Sequence, residues 1–344
     1  MRLRRAAALV VHWHRGKLVV ENYMTRRRAP ASPILLAVLD RAGGGASAAD
    51  LARVVPGTPS QASRLVRALE RATFLERARP AASSVLDAWT PWLPHAGLLH
   101  FGTKDERYPP AAAASRAFVR RARAIAPPAP TKAYPPPRRV LPAPAALDLS
   151  LSATLARRRT WRRFGSVPLP LDRLATLLGL TWGVRQWARD DAGRRVALKT
   201  SPSGGAMHPG EAYVAAFNVR GLRRGLYHYD AARHALTRVA AVPARFTPSR
   251  YLPSQPWYAG ASALVLMTAV VERERWKYDS PRAYRAMLLD AGHLCQTFCL
   301  VATALDLAPF CSMALADSIV ERDAGLDGVR EIALYAAGVG CRPL

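Results

Sequence analysis

Three short stretches of this chain hold residue types at spacings that suit chemistry. The first is residues 157–164, RRRTWRRF, with five arginines in seven positions. Forked guanidinium donors of this kind grip a phosphate, and a threonine hydroxyl adds one more donor. A solvated basic helix end has the same composition. The second is residues 201–210, SPSGGAMHPG, where adjacent glycines let the backbone approach a flat ring or a phosphate closely. An ordinary surface turn uses the same residues. The third is Trp276-Lys277-Tyr278. A lysine beside a tyrosine is expected to lower the phenol pKa and make Tyr278 a usable base; the alternative is an exposed strand end.

The elements that must position these stretches follow from periodicity. Residues 7–24 read as a β-hairpin about a Gly-containing turn, with His12 and His14 on one face. Helices are expected over 33–42, over 47–55 with Ser47 as cap, and over 60–79, where Leu65, Leu69 and Ala72 share a face and arginines occupy much of the rest. Helix, tight turn and Arg-rich helix form the pattern of a winged helix-turn-helix. Between Pro127 and Pro144 eight of eighteen residues are proline, which favours extended backbone and reads as a linker. Beyond it, helices are expected at 150–159, 170–182 and 281–306, and strands at 212–219, 225–229, 261–271 and 331–339. Mixed elements without regular βαβ alternation predict an α+β fold. The domains expected are 1–100, winged-helix-like; 101–147, a Pro-rich linker; and 148–344, which carries the chemistry.

Composition bounds the function. The 344 residues carry 50 Lys+Arg against 24 Asp+Glu, a formal charge of +26. That field attracts phosphates, nucleic acid or acidic peptide segments. Four cysteines without a CxxC pair do not form a disulfide scaffold. Cys295 and Cys299, at i,i+4, can meet on one helix but offer too few ligands for a metal, so none is expected. No apolar stretch of membrane-spanning length and no clear signal peptide stand out, and a soluble cytoplasmic protein is expected.

The three stretches occur in an order that resembles a known family. RRRTWRRF resembles the opening of FMN-dependent nitroreductases. SPSGGAMHPGEAY, GLRRGLYHYDAARHALTRV and WKYDSPRAYRAMLLDAGHLCQTFCLVATALDL are similar to segments of their SagB-type dehydrogenase branch. The resemblance spans roughly residues 150–344 and implies a nitroreductase-like FMN domain. It places Arg158, Thr160 and Arg162 at the FMN phosphate, ribityl and N1/O2 edge, and Pro202, Ser203, Gly204 and Gly205 along the ring. Ser312 and Met313 would approach N5, and Arg342 the phosphate. Lys277 and Tyr278 fall on the pair that acts in azoline-oxidising relatives: a base removes a carbon-bound proton while hydride passes to the flavin, and oxygen or another acceptor reoxidises it. His208, Asp306 and Ala308 depart from the family pattern, His208 where an aromatic is usual and the other two where glycines are common.

The implied function is oxidation of a ribosomally made, modified peptide, azoline-to-azole or related. The N-terminal domain would dock the precursor, a homodimer would complete the sites, and a cyclodehydratase or other maturation enzyme would be a partner. The competing readings are an NAD(P)H-dependent nitroreductase or quinone reductase, and a flavin-containing DNA-binding regulator motivated by the Arg-rich helix. Chain-wide arginine makes nucleic acid the less expected partner.

Overall fold

Left-handed backbone at Arg15 (φ 48°) and Gly16 (φ 76°) closes the expected hairpin, joining Leu9–His14 to Lys17–Asn22. Two successive positive-φ residues match the right-handed twist of the strands they connect. The rings of His12 and His14 lie 6.2 Å apart on one face. This computed structural model describes residues 2–78, 87–241 and 245–343. Compactness divides the chain into Met1–Arg107 and Tyr108–Leu344.

The first unit is β-rich around a small helical core. Its sheets are Leu9–His14, Lys17–Asn22 and Arg27–Pro30, and a second formed by Ala46–Ser47, Arg2–Arg5 and Leu75–Arg77. Helix Pro33–Arg41 begins at Ser32, whose hydroxyl accepts from Leu35 N–H. Ala48–Ala52 and Pro59–Arg71 each open with a reciprocal capping box, Ser47 with Asp50 and Thr58 with Gln61. Ala62, Val66 and Leu69, at i, i+4 and i+7, are the buried stripe of the Arg-rich helix. Val66 and Leu69 pack with Leu3, Val38 and Phe74.

The second unit is built on one seven-stranded antiparallel sheet. Its order is Leu307–Ser312, Glu331–Cys341, Ala263–Val270, Gly210–Ala216, Gly225–Asp230, Ala235–Ala240, Arg138–Val140. Period-2 alternation sorts its side chains onto two cores. Ala212, Val214, Val265 and Met267 face Leu294, Phe298 and Ala302 of helix Ala283–Ala304 and Leu174 and Leu178 of helix Leu171–Thr181. Tyr213, Ala215, Leu264 and Leu266 face the other way, toward Val320 and Tyr251. Burial on both faces is why the central strands read as unbroken apolar runs.

Two expectations are corrected. Segment 101–147 is not a free linker. Helix Ala111–Ala124 lies within it, and strand Arg138–Val140 pairs with Ala235–Ala240. A sheet edge tolerates proline because one side of the strand needs no donors. And one described helix, Ala283–Ala304, is long and apolar enough to cross a membrane, with 56% of that window buried inside the unit. Its residues Leu294, Phe298, Val301 and Ala302 cover the sheet.

Candidate active site

The backbone of the arginine stretch is fixed along the sheet, while Arg157, Arg159, Arg162 and Arg163 remain exposed. Helix Leu151–Arg157, capped by the Ser150 hydroxyl, ends before Arg158. The chain then runs extended, with Trp161 N–H bonded to Pro309 O at 3.0 Å and Gly165 N–H to Cys341 O at 2.9 Å. A side chain at Gly165 would stand 2.6 Å from Arg342 O, so only glycine permits this approach. Arg159 and Arg342 sit over the Trp161 ring at 4.1 and 5.2 Å. Arg342 also donates to Leu307 O and ion-pairs with Asp306. Asp306 stands at φ 57°, a conformation glycine adopts at no steric cost and aspartate tolerates. Arg158 acts electrostatically on Cys299 and Cys311. Thr160 and Arg162 are exposed. Ser312 is buried at the end of its strand, its hydroxyl accepting from Ala314 N–H, and Met313 beside it is 79% exposed.

The Pro-Ser-Gly-Gly stretch forms a second cluster. The Ser203 hydroxyl accepts from His208 N–H at 2.9 Å, closing the loop on itself. Gly205 takes φ 60°, and a Cβ there would lie 2.4 Å from the Tyr278 hydroxyl and 2.6 Å from Lys277 Nζ. Both side-chain heads therefore converge on one bare stretch of backbone. Lys277 Nζ donates to Gly205 O at 3.0 Å. Helix Val271–Lys277 delivers the lysine in its last turn, and Tyr278 follows in extended backbone, so the pair sits at a helix end and not in a strand.

Electrostatics reverse one expectation. Burial, helped by the negative charge of Glu274, raises the Tyr278 phenol pKa, so Tyr278 remains a neutral hydroxyl. Lys277 moves the other way: burial, then the charge of Arg194, lowers its pKa and enriches the free amine. Burial is the larger cause of the phenol's upward shift, and the buried carboxyl one turn back adds to it.

That carboxyl was not singled out in the sequence. Glu274 is 1% exposed, and neither of its oxygens has a hydrogen-bond partner. Burial and the nearby charge of Asp290 push its pKa up to about 7, against the pull of Lys277. A Cβ at Gly204 would lie 3.2 Å from Glu274 Oε1, so the carboxyl packs directly under the loop. Beyond it lies a paired network that was equally hidden. Arg273 bridges Glu211 at 2.6 Å and donates to His208 O, and His228 meets the other Glu211 oxygen at 2.8 Å. Burial, Lys199 and Arg273 hold the His208 imidazole neutral, its pKa pulled down to about 3. A charged residue at the start of an apolar strand run, as at Glu211, is the one sequence signal that a buried partner must exist.

The two clusters are each assembled within the chain, but no hydrogen bond or ion pair joins Arg158, Thr160, Arg162 or Arg342 to Pro202, Ser203, Gly204 or Gly205 among the described residues. The sequence profile of the Nitroreductase family matches residues 155–341, more than half of the chain and both clusters. The chain belongs to the Nitroreductase family. A protein of Methanocaldococcus jannaschii named as a nitroreductase is 31% identical over 160 residues, 46% of this chain and 76% of the relative. The Trifolitoxin-processing protein of Rhizobium leguminosarum bv. trifolii is 34% identical over 146 residues, 40% of this chain but only 38% of the relative. The resemblance to SagB-type dehydrogenases accords with this second similarity. Among solved structures, a nitroreductase-named protein from Anabaena variabilis shares the fold at a TM-score of 0.53 and 23% identity, covering 71% of this chain and 45% of that one.

Proposed function

We propose that this nitroreductase-family chain is an FMN-dependent dehydrogenase acting on a ribosomally made, modified peptide, in azoline-to-azole oxidation or a related dehydrogenation. The observation that carries the reading is the convergence of Lys277 and Tyr278 on the side-chain-free backbone of Gly205. The similarity to a peptide-processing protein supports the substrate class.

The residues fit the cofactor. Arg158 and Arg162 have no carboxylate partner among the described residues, which leaves one forked cation for the phosphate and one for the N1/O2 edge of the ring. The Gly204-Gly205 backbone offers a surface that a flat ring can approach. When bound, FMN supplies the hydride acceptor. Lys277, its pKa lowered by burial, takes the proton from the substrate carbon, and the neutral Tyr278 hydroxyl holds the substrate heteroatom as donor. Arg162 and Ser312 remain the candidates for the ring edge, with Thr160, Pro202, Ser203, Met313 and Arg342 lining the rest. Because the two clusters are not joined within one chain, a second copy completing the site is part of the proposal.

The N-terminal unit serves in this reading as the winged-helix-like docking module for the precursor. A groove of about 710 Å³, lined by Leu9, Val11, Leu36 and Leu39 with Arg5 and the Arg4–Glu76 ion pair, offers apolar surface and charge together. Anaerobic mixing of the flavin-loaded protein with an azoline-bearing peptide tests the proposal. Bleaching of the flavin absorption with loss of two hydrogens from the peptide supports it. The archaeal similarity favours the second reading, an NAD(P)H-dependent reductase. Steady NAD(P)H turnover with nitroaromatics, and no reaction with the peptide, would transfer the assignment to it.

A further inference from the structure

Three of the four cysteines meet inside the domain. Cys295 and Cys299 project from one face of helix Ala283–Ala304, and Cys311 reaches them from strand Leu307–Ser312. All three Sγ atoms lie within 4.8 Å of one another, and all three thiols are free. Cys295 and Cys299 are 2% and 5% exposed, and Cys311 is partly buried against the same core. Tyr335 neighbours Cys311, and Arg158 is in electrostatic reach of Cys299 and Cys311. Among the described residues no histidine, carboxylate or further cysteine joins the group.

We infer that Cys295, Cys299 and Cys311 form a three-thiolate site for a soft monovalent cation, copper(I). Thiolate ligands select soft ions, and the two common four-ligand alternatives, structural zinc and iron–sulfur clusters, lack their fourth ligand here. The geometry permits a trigonal arrangement. A metal–thiolate bond of about 2.3 Å places three trigonal sulfurs about 4 Å apart. The observed spread of up to 4.8 Å closes to that by side-chain torsions of well under 1 Å per sulfur. Binding releases each thiol proton to solvent and changes no oxidation state. Three thiolates around one monovalent cation leave a local excess of negative charge, and the Arg158 guanidinium partly offsets it. Cys341, the fourth thiol, lies outside the group and serves as the internal control.

The test is anaerobic titration of the full chain with copper(I) in competition with the chromophoric chelator bicinchoninate. The expected result is removal of a single equivalent from the chelator. Cys295→Ala, Cys299→Ala or Cys311→Ala each weaken that binding by more than about 100-fold, since a lost ligand exceeds the effect of a lost outer-shell partner. Cys341→Ala leaves it unchanged. X-ray absorption on the unsubstituted, copper-loaded protein gives a readout that does not depend on the variants folding: three sulfur neighbours are expected. No copper taken from the chelator, two sulfur neighbours instead of three, or binding that persists in the triple Cys→Ala variant would each overturn the site. The flavin content of the protein does not enter any of these outcomes, so the result stands apart from the proposed dehydrogenase activity.

Discussion

Lys277 is tied to Gly205: its Nζ donates to the glycine carbonyl at 3.0 Å, and the glycine in turn leaves open the space that the amine and the Tyr278 hydroxyl occupy. The loop positions the amine and the amine orders the loop. A base held by backbone keeps one geometry without needing a second side chain to orient it.

Gly205→Ala tests this relationship. The left-handed backbone at φ 60° costs a β-carbon about 1–2 kcal/mol. The clash falls on the ends of two flexible side chains, which can move aside. Thermal unfolding should therefore show only that modest loss, while peptide dehydrogenation falls far more, because both heads are displaced. Equal small losses in stability and rate would show that Lys277 and Tyr278 need not converge there.

Replacing the two heads separates their roles. Lys277→Ala should abolish dehydrogenation by at least about 100-fold, and Tyr278→Phe should reduce it less, as expected for loss of a base against loss of a hydrogen bond. The unsubstituted rate should rise with pH and level off below the ordinary lysine value of 10.5, because burial lowers the Lys277 pKa. A rate that levels only above 10.5, or a larger loss from Tyr278→Phe, would make the phenol the base after all.

Glu274 gives the domain a pH-dependent stability term. Its pKa is about 7 in the fold against an ordinary 4.5, so the folded state holds a proton that the unfolded chain releases between those values. The contribution is full below about pH 4.5 and is lost as pH rises through 7. Glu274→Gln removes the titration. Denaturant unfolding should find the variant gaining on the parent between pH 5 and pH 8, by on the order of 1–2 kcal/mol after screening. A constant difference across that range would mean that the carboxyl is ionised throughout.

The departure at position 306 has its own signature. Asp306 holds Arg342 in an ion pair, which on the proposed reading competes with the FMN phosphate for that arginine. Asp306→Gly restores the residue best suited to φ 57° and releases the arginine. FMN affinity, measured by fluorescence titration, should rise several-fold, with stability changed by less than about 1 kcal/mol. Unchanged or weaker binding would place Arg342 away from the phosphate.

Arg273→Ala should be the most damaging of these changes to the fold. It strands Glu211 without its bridging cation inside the domain, at a cost of about 3–5 kcal/mol read by thermal or denaturant unfolding. Loss within about 1 kcal/mol would indicate that His228 and the Lys132 N–H satisfy the carboxylate.

Local signals in the sequence carried much of this architecture. The apolar strands and the long helix were legible because burial on both sheet faces leaves continuous runs, and helix Ala283–Ala304 begins and ends within two residues of the expected 281–306. The Pro-Ser-Gly-Gly loop and the Lys277-Tyr278 pair were visible as residue types, but not their meeting at Gly205, which depends on where helix Val271–Lys277 ends. Glu274 was invisible because its importance lies in having no partner, a property of packing alone. The Tyr278 pKa runs opposite to the expected direction for a related reason: burial, the largest cause, and then the charge of Glu274 are not visible in the nearest sequence neighbours. Proline content hid the edge strand Arg138–Val140, since composition does not reveal that its partner, Ala235–Ala240, left an edge open. Cys311 joins Cys295 and Cys299 through the antiparallel register of strand Leu307–Ser312 against Glu331–Cys341.

The central claim is that this domain carries FMN. The visible absorption spectrum of the purified protein, with mass analysis of any released cofactor, tests it most directly. The account predicts flavin bands and released FMN, or their appearance on titration with FMN. A colourless, folded protein that takes up no FMN would contradict it and leave the chain a nitroreductase-fold protein without the redox chemistry of its family.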